Sequence, residues 1–297
     1  MTSFKSGYVS IVGRPNVGKS TLLNRIIGQK ISAISNKAQT TREKISFIYT
    51  DDDGQIIFLD TPGIQRPKNK LGDFMLAESL SSLKEADLIT FIADTSKKIG
   101  KADAYIIDQL KKLKRKDILL LINKIDLVKK EDLFPIIEMY DKIGIFSHII
   151  PISAIKSDGI DEYLKVLKEN LKEGPMFYPQ DFVTDKSEKF LAEEIIREKG
   201  LRFLQEEVPH GLAVKIEKFK ERQDKAIIDI EATIYVERNS HKAIIIGKDG
   251  SMLKKIGTSA RLDLEKMLES KVNLKLWVKV EKNWRDIDMK VRGFGYK

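Results

Sequence analysis

Eight residues near the start, Gly13-Arg14-Pro15-Asn16-Val17-Gly18-Lys19-Ser20, have the spacing G-x-x-x-x-G-K-[ST]. The chemistry open to such a loop is the grip of a triphosphate. Its backbone N–H groups converge on anionic oxygens where a helix begins. Lys19 can reach the outer phosphates, and the Ser20 hydroxyl can ligate Mg²⁺. The plain alternative is a glycine-bearing strand-to-helix turn. Chance coincidence of the four defining residues is of the order of 1% in a chain this long, given about 7% glycine on average.

Three further sets extend the chemistry. In Asp60-Thr61-Pro62-Gly63 the carboxylate can hold Mg²⁺ through water, and the Gly63 amide can contact a γ-phosphate. In Asn123-Lys124-Ile125-Asp126 the Asp126 carboxylate can accept both N1–H and N2–H₂ of guanine, a donor pair that adenine lacks. Losing such a partner costs on the order of 1–3 kcal/mol, enough to discriminate the bases. Ser153-Ala154-Ile155 can cover the base with backbone amides. A polar loop, Asn36-Lys37-Ala38-Gln39-Thr40-Thr41-Arg42, offers a hydroxyl, Thr41 rather than Thr40, to complete the Mg²⁺ shell while the γ-phosphate is present. A loop released on loss of that phosphate is a switch. Taken alone D-x-x-G reads as a turn and S-A-I carries little. Four motifs in this order point to GTP. Lys19, Thr41 and Gly63 are the residues expected to act on the transferred phosphoryl group.

The elements that must position these residues are legible as hydrophobic runs. Strands are expected at 8–12, 44–50, 55–59, 88–94, 118–122 and 147–152, and a helix opens at 21–27. Each motif follows one of these strands. That pattern predicts an α/β domain over 1–172, with a mostly parallel sheet, helices on both faces and the ligand at strand C-terminal ends. The prolines and glycine of Glu173-Gly174-Pro175-Met176-Phe177-Tyr178-Pro179 mark a linker over 173–186.

A smaller α+β domain is expected over 187–281, in the order α-β-β-α-α-β. A helix capped by a hydroxyl runs over 187–203, strands cover 212–219 and 226–236, a glycine-bearing helical hairpin follows, and the last strand is 273–280. The hairpin reads Lys242-Ala243-Ile244-Ile245-Ile246-Gly247-Lys248-Asp249-Gly250-Ser251-Met252-Leu253-Lys254-Lys255. Its G-x-x-G lets the backbone approach a sugar-phosphate chain. Ile244, Ile246 and Leu253 offer an apolar floor for bases, and Lys248, Lys254 and Lys255 supply charge around Gly247, Asp249 and Gly250. A lone G-x-x-G is often no more than a helix-to-helix turn. A basic and aromatic tail over 282–297 either extends the RNA path by stacking or packs as a terminal segment.

Bulk properties agree with two domains and a polyanionic partner. The chain has 297 residues, 42% of them hydrophobic, and a net charge of +9. Residues 241–297 carry 14 Lys and Arg against 7 Asp and Glu, so most of the excess sits at the end. No cysteine is present, which excludes disulfides and thiolate metal sites and fits a reducing cytosol. The first residues lack the apolar core of a signal peptide, and no apolar run nears the roughly 20 residues of a membrane span. A cytoplasmic protein is expected, and a monomer.

The set GRPNVGKS, TTR, DTPG, NKID and SAI, followed by the G-x-x-G hairpin, resembles the Era family of bacterial GTPases, which carry a C-terminal type II KH domain. The likeness runs over essentially the whole chain and includes Ile195-Ile196-Arg197-Glu198-Lys199 and Leu276-Trp277-Val278-Lys279-Val280. It implies that Thr41 is the switch-loop Mg²⁺ ligand. It implies GTP hydrolysis, assembly of the small ribosomal subunit, binding of the 3′ end of 16S ribosomal RNA by the KH groove, and peripheral contact with the inner face of the membrane. Asn16 matches a residue that supports a K⁺ ion in relatives. Ile64 stands where Ras-like relatives have a water-orienting glutamine, so slow intrinsic hydrolysis is expected. The alternative function is a non-hydrolysing, GTP-bound RNA-binding assembly factor. A GTPase acting mainly at the membrane ranks lower, because no amphipathic helix offers lipid a free apolar face.

Overall fold

The computed structural model describes residues 4–29, 31, 41–115, 117–204, 211–223 and 226–296. They form two compact units. One holds most of the chain up to Asp185; the other holds Lys186 onward with the short stretch Pro67–Phe74.

The first unit is a six-stranded sheet: β1 (Lys5–Val12), β2 (Ile45–Thr50), β3 (Gly54–Asp60), β4 (Leu88–Asp94), β5 (Ile118–Asn123) and β6 (His148–Pro151). Their spatial order is β2-β3-β1-β4-β5-β6, parallel throughout except for β2 against β3. The helices are α1 (Lys19–Ile27), α2 (Lys70–Glu85), α3 (Lys101–Lys112), α4 (Lys130–Asp141) and α5 (Ile160–Asn170). Strand β4 shows how both faces are covered. Ile89, Phe91 and Ala93 join a buried cluster with Leu83 of α2, Ile106, Ile107 and Leu110 of α3, and Ile136 and Tyr140 of α4. Thr90, pointing the other way, shares a 2.8 Å hydrogen bond with the buried Tyr163 hydroxyl of α5. A strand apolar on both sides needs this double cover.

The stretch expected to be a linker is laced along this sheet instead. Glu173 bridges to Lys5, and Thr184 to Phe47. The Gln55 side chain accepts from the backbone N–H groups of Phe177 and Tyr178 and donates to the Tyr178 carbonyl. The Ser46 hydroxyl donates to Asp185 at 2.9 Å.

The second unit runs α6 (Glu188–Phe203), β7 (Ala213–Glu221), β8 (Ile227–Val236), α7 (Asn239–Ile246), α8 (Ser251–Met267), β9 (Lys271–Val280) and α9 (Asp288–Gly293). The Ser187 hydroxyl caps α6 by accepting from Phe190 N–H. The sheet order is β7-β8-β9, with β8 antiparallel to β7 and parallel to β9. One sheet face packs on the helices: Ile216, Ile230, Ile234 and Val278 meet Ile195 and Ile196 of α6, Ile245 of α7, and Ile256, Ala260 and Leu264 of α8. The spacing 256, 260, 264 is one helical stripe. The tail packs as a terminal segment: the buried Trp284 indole N–H donates to the Gly211 carbonyl at 2.9 Å, and Phe294 lies 4.9 Å from both Trp284 and Tyr235. Its aromatic rings Trp284 and Tyr296 are buried and not presented for stacking with RNA.

Candidate functional site

The phosphate loop links the end of β1 to α1. Gly18 takes φ +106, a conformation that favours glycine, and a Cβ there would stand 2.3 Å from the Asn123 side-chain nitrogen. A Cβ on Gly13 would stand 2.5 Å from the Ile92 carbonyl. No side chain caps α1, and its first turn carries no acidic residue, so its N–H groups face the loop mouth. Lys19 is only 7% exposed; its ammonium donates to the carbonyls of Gly13 at 3.1 Å and Arg14 at 3.4 Å. Burial pushes that ammonium's pKa down, and nearby Asp60 pulls it back up.

Three oxygens meet beside Lys19. Ser20 Oγ lies 3.3 Å from Thr41 Oγ1, and both hydroxyls donate to Asp60 Oδ2 at 3.3 Å. An octahedral Mg²⁺ with oxygens at about 2.1 Å needs neighbouring ligands about 3 Å apart. Two hydroxyls and a carboxylate are hard donors, and the triangle is close to that edge length. The residues fit Mg²⁺, with phosphate oxygens and water completing the shell. Thr41 and Arg42 are the described part of the expected switch loop; residues 36–40 lie outside the described residues.

The guanine motif ties the site together. The buried Asn123 side chain donates to the Val17 carbonyl at 2.8 Å and accepts from Lys124 N–H at 2.8 Å and Ala154 N–H at 3.0 Å. The Lys124 ammonium donates to the Asn16 carbonyl at 2.8 Å, and Lys124 and Asn16 both take positive φ. The Ser153 hydroxyl donates to Asp126 at 2.6 Å, which fixes one carboxylate oxygen. Thus 13–20, 123–126 and 153–154 form one hydrogen-bonded cradle.

Some expected residues use their side chains elsewhere. The Arg14 guanidinium pairs with Asp94 at 2.5 Å and Asp103 at 3.1 Å, which leaves its backbone N–H as the group open to a phosphate. Burial raises Asp103, with Arg14 opposing. Burial would raise Asp94 too, but Ser96 and Arg14 hold it below its ordinary value. These two carboxylates anchor the loop and no motif announces them. Thr61 turns its hydroxyl to the Ile11 carbonyl at 3.1 Å, and the Pro62 carbonyl accepts from Ser79. Gly63 lies against Pro15, where a Cβ would be 3.2 Å from the ring. Ile64 is fully buried in the cluster with Val12 and Phe91, turned into the core.

In the second unit, Gly250, Leu253, Lys254, Gly257, Thr258 and Arg261 of α8 and its approach face Leu274 and Leu276 of β9 across a groove of about 380 Å³. Gly247 and Gly250 have φ near +70, and Asp249 has φ +51. Ile244 is 48% exposed, Ile246 is partly buried against the core, and Lys248 stands in solvent. Lys255 is not in the groove. It lies on the α6 side of α8, its ammonium 4.6 Å above the Phe203 ring, because successive helix positions turn about 100° apart. The sequence reading missed Gly257, Thr258, Arg261, Leu274 and Leu276. The one available signal was the spacing 250, 253/254, 257, 261 on one helix face.

Comparisons with known proteins agree with this division. Residues 8–124 match the family model described as 50S ribosome-binding GTPase, and residues 207–285 match the KH domain model. The chain is 55% identical over 294 residues to GTPase Era of Clostridioides difficile, covering 99% of both. It is 50% identical over 295 residues to GTPase Era of Alkaliphilus metalliredigens, covering 99% of this chain and 100% of the relative. Among solved structures, a variant of Aquifex aeolicus Era bound to GDP·AlF4⁻ superposes with TM-score 0.94 at 43% identity over 99% of each chain. Era in complex with MgGDPNP and nucleotides 1506–1542 of 16S ribosomal RNA matches with the same TM-score, identity and coverage.

Proposed function

The chain belongs to the Era family of GTPases, and from that premise we propose a GTP-hydrolysing switch that binds the 3′ end of 16S ribosomal RNA and acts in small-subunit assembly. The observation that carries the proposal is the meeting of Ser20, Thr41 and Asp60 at 3.3 Å beside the buried Lys19. Ser20 and Thr41 would hold Mg²⁺ through their hydroxyls and Asp60 through its carboxylate, directly or by way of water, and the ion would neutralise phosphate charge. Lys19 binds the outer phosphate oxygens, where charge develops as the terminal P–O bond opens. The Gly63 N–H binds a γ-phosphate oxygen. Asp126, oriented by Ser153, accepts from guanine N1–H and N2–H₂, while Ser153 and Ala154 close over the base. Ile64 cannot orient water from the core, so intrinsic turnover is slow. Loss of the γ-phosphate would weaken the shell that Thr41 completes, and Thr41 would be released from Ser20 and Asp60 as the loop switches.

RNA binds in the groove between α8 and β9. The G-x-x-G backbone meets the sugar-phosphate chain, Leu253, Leu274 and Leu276 take the bases, and Lys248 and Lys254 supply charge. If the two sites are linked, each ligand changes affinity for the other by the same factor.

K⁺ at Asn16 and a peripheral contact with the inner face of the membrane belong to the same proposal on family grounds; no described helix is long and apolar enough to cross a membrane. The test is multiple-turnover phosphate release from GTP and ATP, in KCl and in NaCl, with RNA affinity measured in GTP-analogue and GDP states. Release from GTP alone, faster in KCl, with two different RNA affinities, is the expected result. A single turnover that stalls would leave the non-hydrolysing assembly factor as the function. Equal rates in the two salts would remove K⁺.

A further inference from the structure

The three-stranded sheet of the second unit has a second face, away from the helices. Cross-strand register assigns it row by row: Ala213–Tyr235–Lys279, Lys215–Thr233–Trp277, Lys218–Glu231–Lys275 and Lys220–Asp229–Asn273. The alternate rows, such as Ile216–Ala232–Leu276, face the helical core. Phe294 covers the Tyr235 end of the open face. Next to it Trp277 is 44% exposed, and Lys215, Lys275 and Lys279 are exposed around it.

An exposed tryptophan in mid-strand gives up burial that its ring would normally obtain. The charges around it are unbalanced. Lys218 and Lys275 both approach Glu231, at 3.7 and 4.0 Å, and Asp229 is taken by Arg222. Among the described residues Lys220 and Lys279 pair with no carboxylate, whereas Lys215 interacts electrostatically with Glu193 and Glu217 shares the face, accepting from the Tyr235 hydroxyl at 3.3 Å, so the cations outnumber the carboxylates. Lys275 and Lys279 flank Trp277 on its own strand, each about 7 Å along it, and Lys215 lies two strands away, about 10 Å. A π-face with more cations than carboxylates around it fits a nucleic acid strand, with a base on the ring and phosphates on the ammonium groups.

Position adds a second argument. Strand β9 is an edge of the sheet. Leu276 lines the RNA groove on one side of it, and Trp277, the next residue, stands on the other. A strand leaving the groove has only the edge of β9 to round before reaching Trp277.

We propose that the open sheet face centred on Trp277, with Lys215, Lys275 and Lys279, is a second single-stranded RNA contact continuous with the groove around the edge of β9. The proposal rests on the groove being the primary RNA site. Its occupant is RNA, because the face adjoins the groove through consecutive residues of one strand, Leu276 and Trp277.

The molecule carries its own probe. It has two tryptophans, and Trp284 is fully buried, so a change in fluorescence on adding RNA reports Trp277. The full chain is titrated with two RNAs from the 16S 3′ end, one of about four nucleotides, the length a KH groove holds, and one of about twelve. The long RNA quenches fluorescence and the short one does not. Trp277→Ala weakens the long RNA about tenfold, within what one stacked base is worth, and leaves the short RNA unchanged. Lys215→Ala with Lys279→Ala lowers the salt slope of the long RNA by about 1.4 and leaves that of the short RNA as it was. Trp277→Phe keeps most of the affinity and loses the quenching, which separates stacking from misfolding. Wild-type binding of both RNAs with the variants unaffected overturns this proposal alone. Absence of wild-type binding to either RNA overturns the groove assignment and this extension with it. Quenching by phosphatidylglycerol vesicles but not by the long RNA makes the face a lipid contact and overturns the RNA proposal.

Discussion

The nucleotide cradle and the KH groove, both proposed to take phosphate, are built in contrasting ways. In the cradle Lys19, Asn123 and Asp60 are buried and hydrogen-bonded, and glycines stand where a Cβ would collide with Asn123 or a carbonyl. In the groove Lys254 reaches into solvent, as does Lys248 in the preceding turn, and a Cβ on Gly250 would meet nothing within 4 Å. Burial lowers the local dielectric, so each polar contact counts for more and each steric change is punished. An open groove relies on many weaker, salt-screened contacts. The cradle is held in place by its own buried hydrogen bonds; the groove is open to solvent.

Substitutions that set the two regions against each other should separate them by size of effect. Lys19→Ala should weaken GTP by about 1,000-fold, about 4 kcal/mol, measured by calorimetry, while RNA affinity without nucleotide stays put. A parallel loss of RNA binding would mean the contrast is one of global folding. Asp126→Asn should cost GTP about 100-fold and bring in xanthosine triphosphate, whose carbonyl suits the amide. Retained guanine preference in competition binding would show that Asp126 does not read the base. Arg14→Ala removes the partner of two largely buried carboxylates. It should lower stability of the nucleotide-binding unit by about 2 kcal/mol in urea unfolding, with the KH groove's RNA affinity unmoved.

The groove's own variants should be milder. Gly250→Asp keeps a positive φ that aspartate tolerates and places a negative charge near phosphate. About tenfold weaker RNA with GTP affinity intact is the expected result by fluorescence anisotropy. Lys254→Ala should weaken single-stranded RNA about threefold and reduce the salt slope by about 0.7, whereas Lys255→Ala, over the Phe203 ring, should do neither. Equal effects from the two lysines would erase the distinction drawn between the two sides of α8.

Legibility followed the same divide. The nucleotide motifs could be read because each is a short contiguous run at a strand end, and strand ends were marked by apolar runs such as Leu88–Asp94. The triphosphate imposes local geometry, so local sequence records it. Asp94 and Asp103 could not be found this way: each pairs with a residue about 80 to 90 positions away, and isolated aspartates carry no signature. The groove was half legible. Its G-x-x-G edge is local, but Leu274 and Leu276 come from a strand that only pairing with β8 brings opposite α8. Lys254 and Lys255 could not be told apart, because a doublet of lysines does not say which one a helix turns toward the groove.

The sequence by itself determined the family, the order of elements and the motifs proposed to hold the triphosphate, because those are fixed by contiguous spacing and hydrophobic period. Only the tertiary structure decided that the Arg14 side chain pairs with Asp94 and Asp103, that 173–185 is fastened along the sheet, and which face of the KH sheet carries Trp277 into solvent. Those outcomes depend on pairing between distant segments, where a one-residue change of register would turn every side chain to the opposite face.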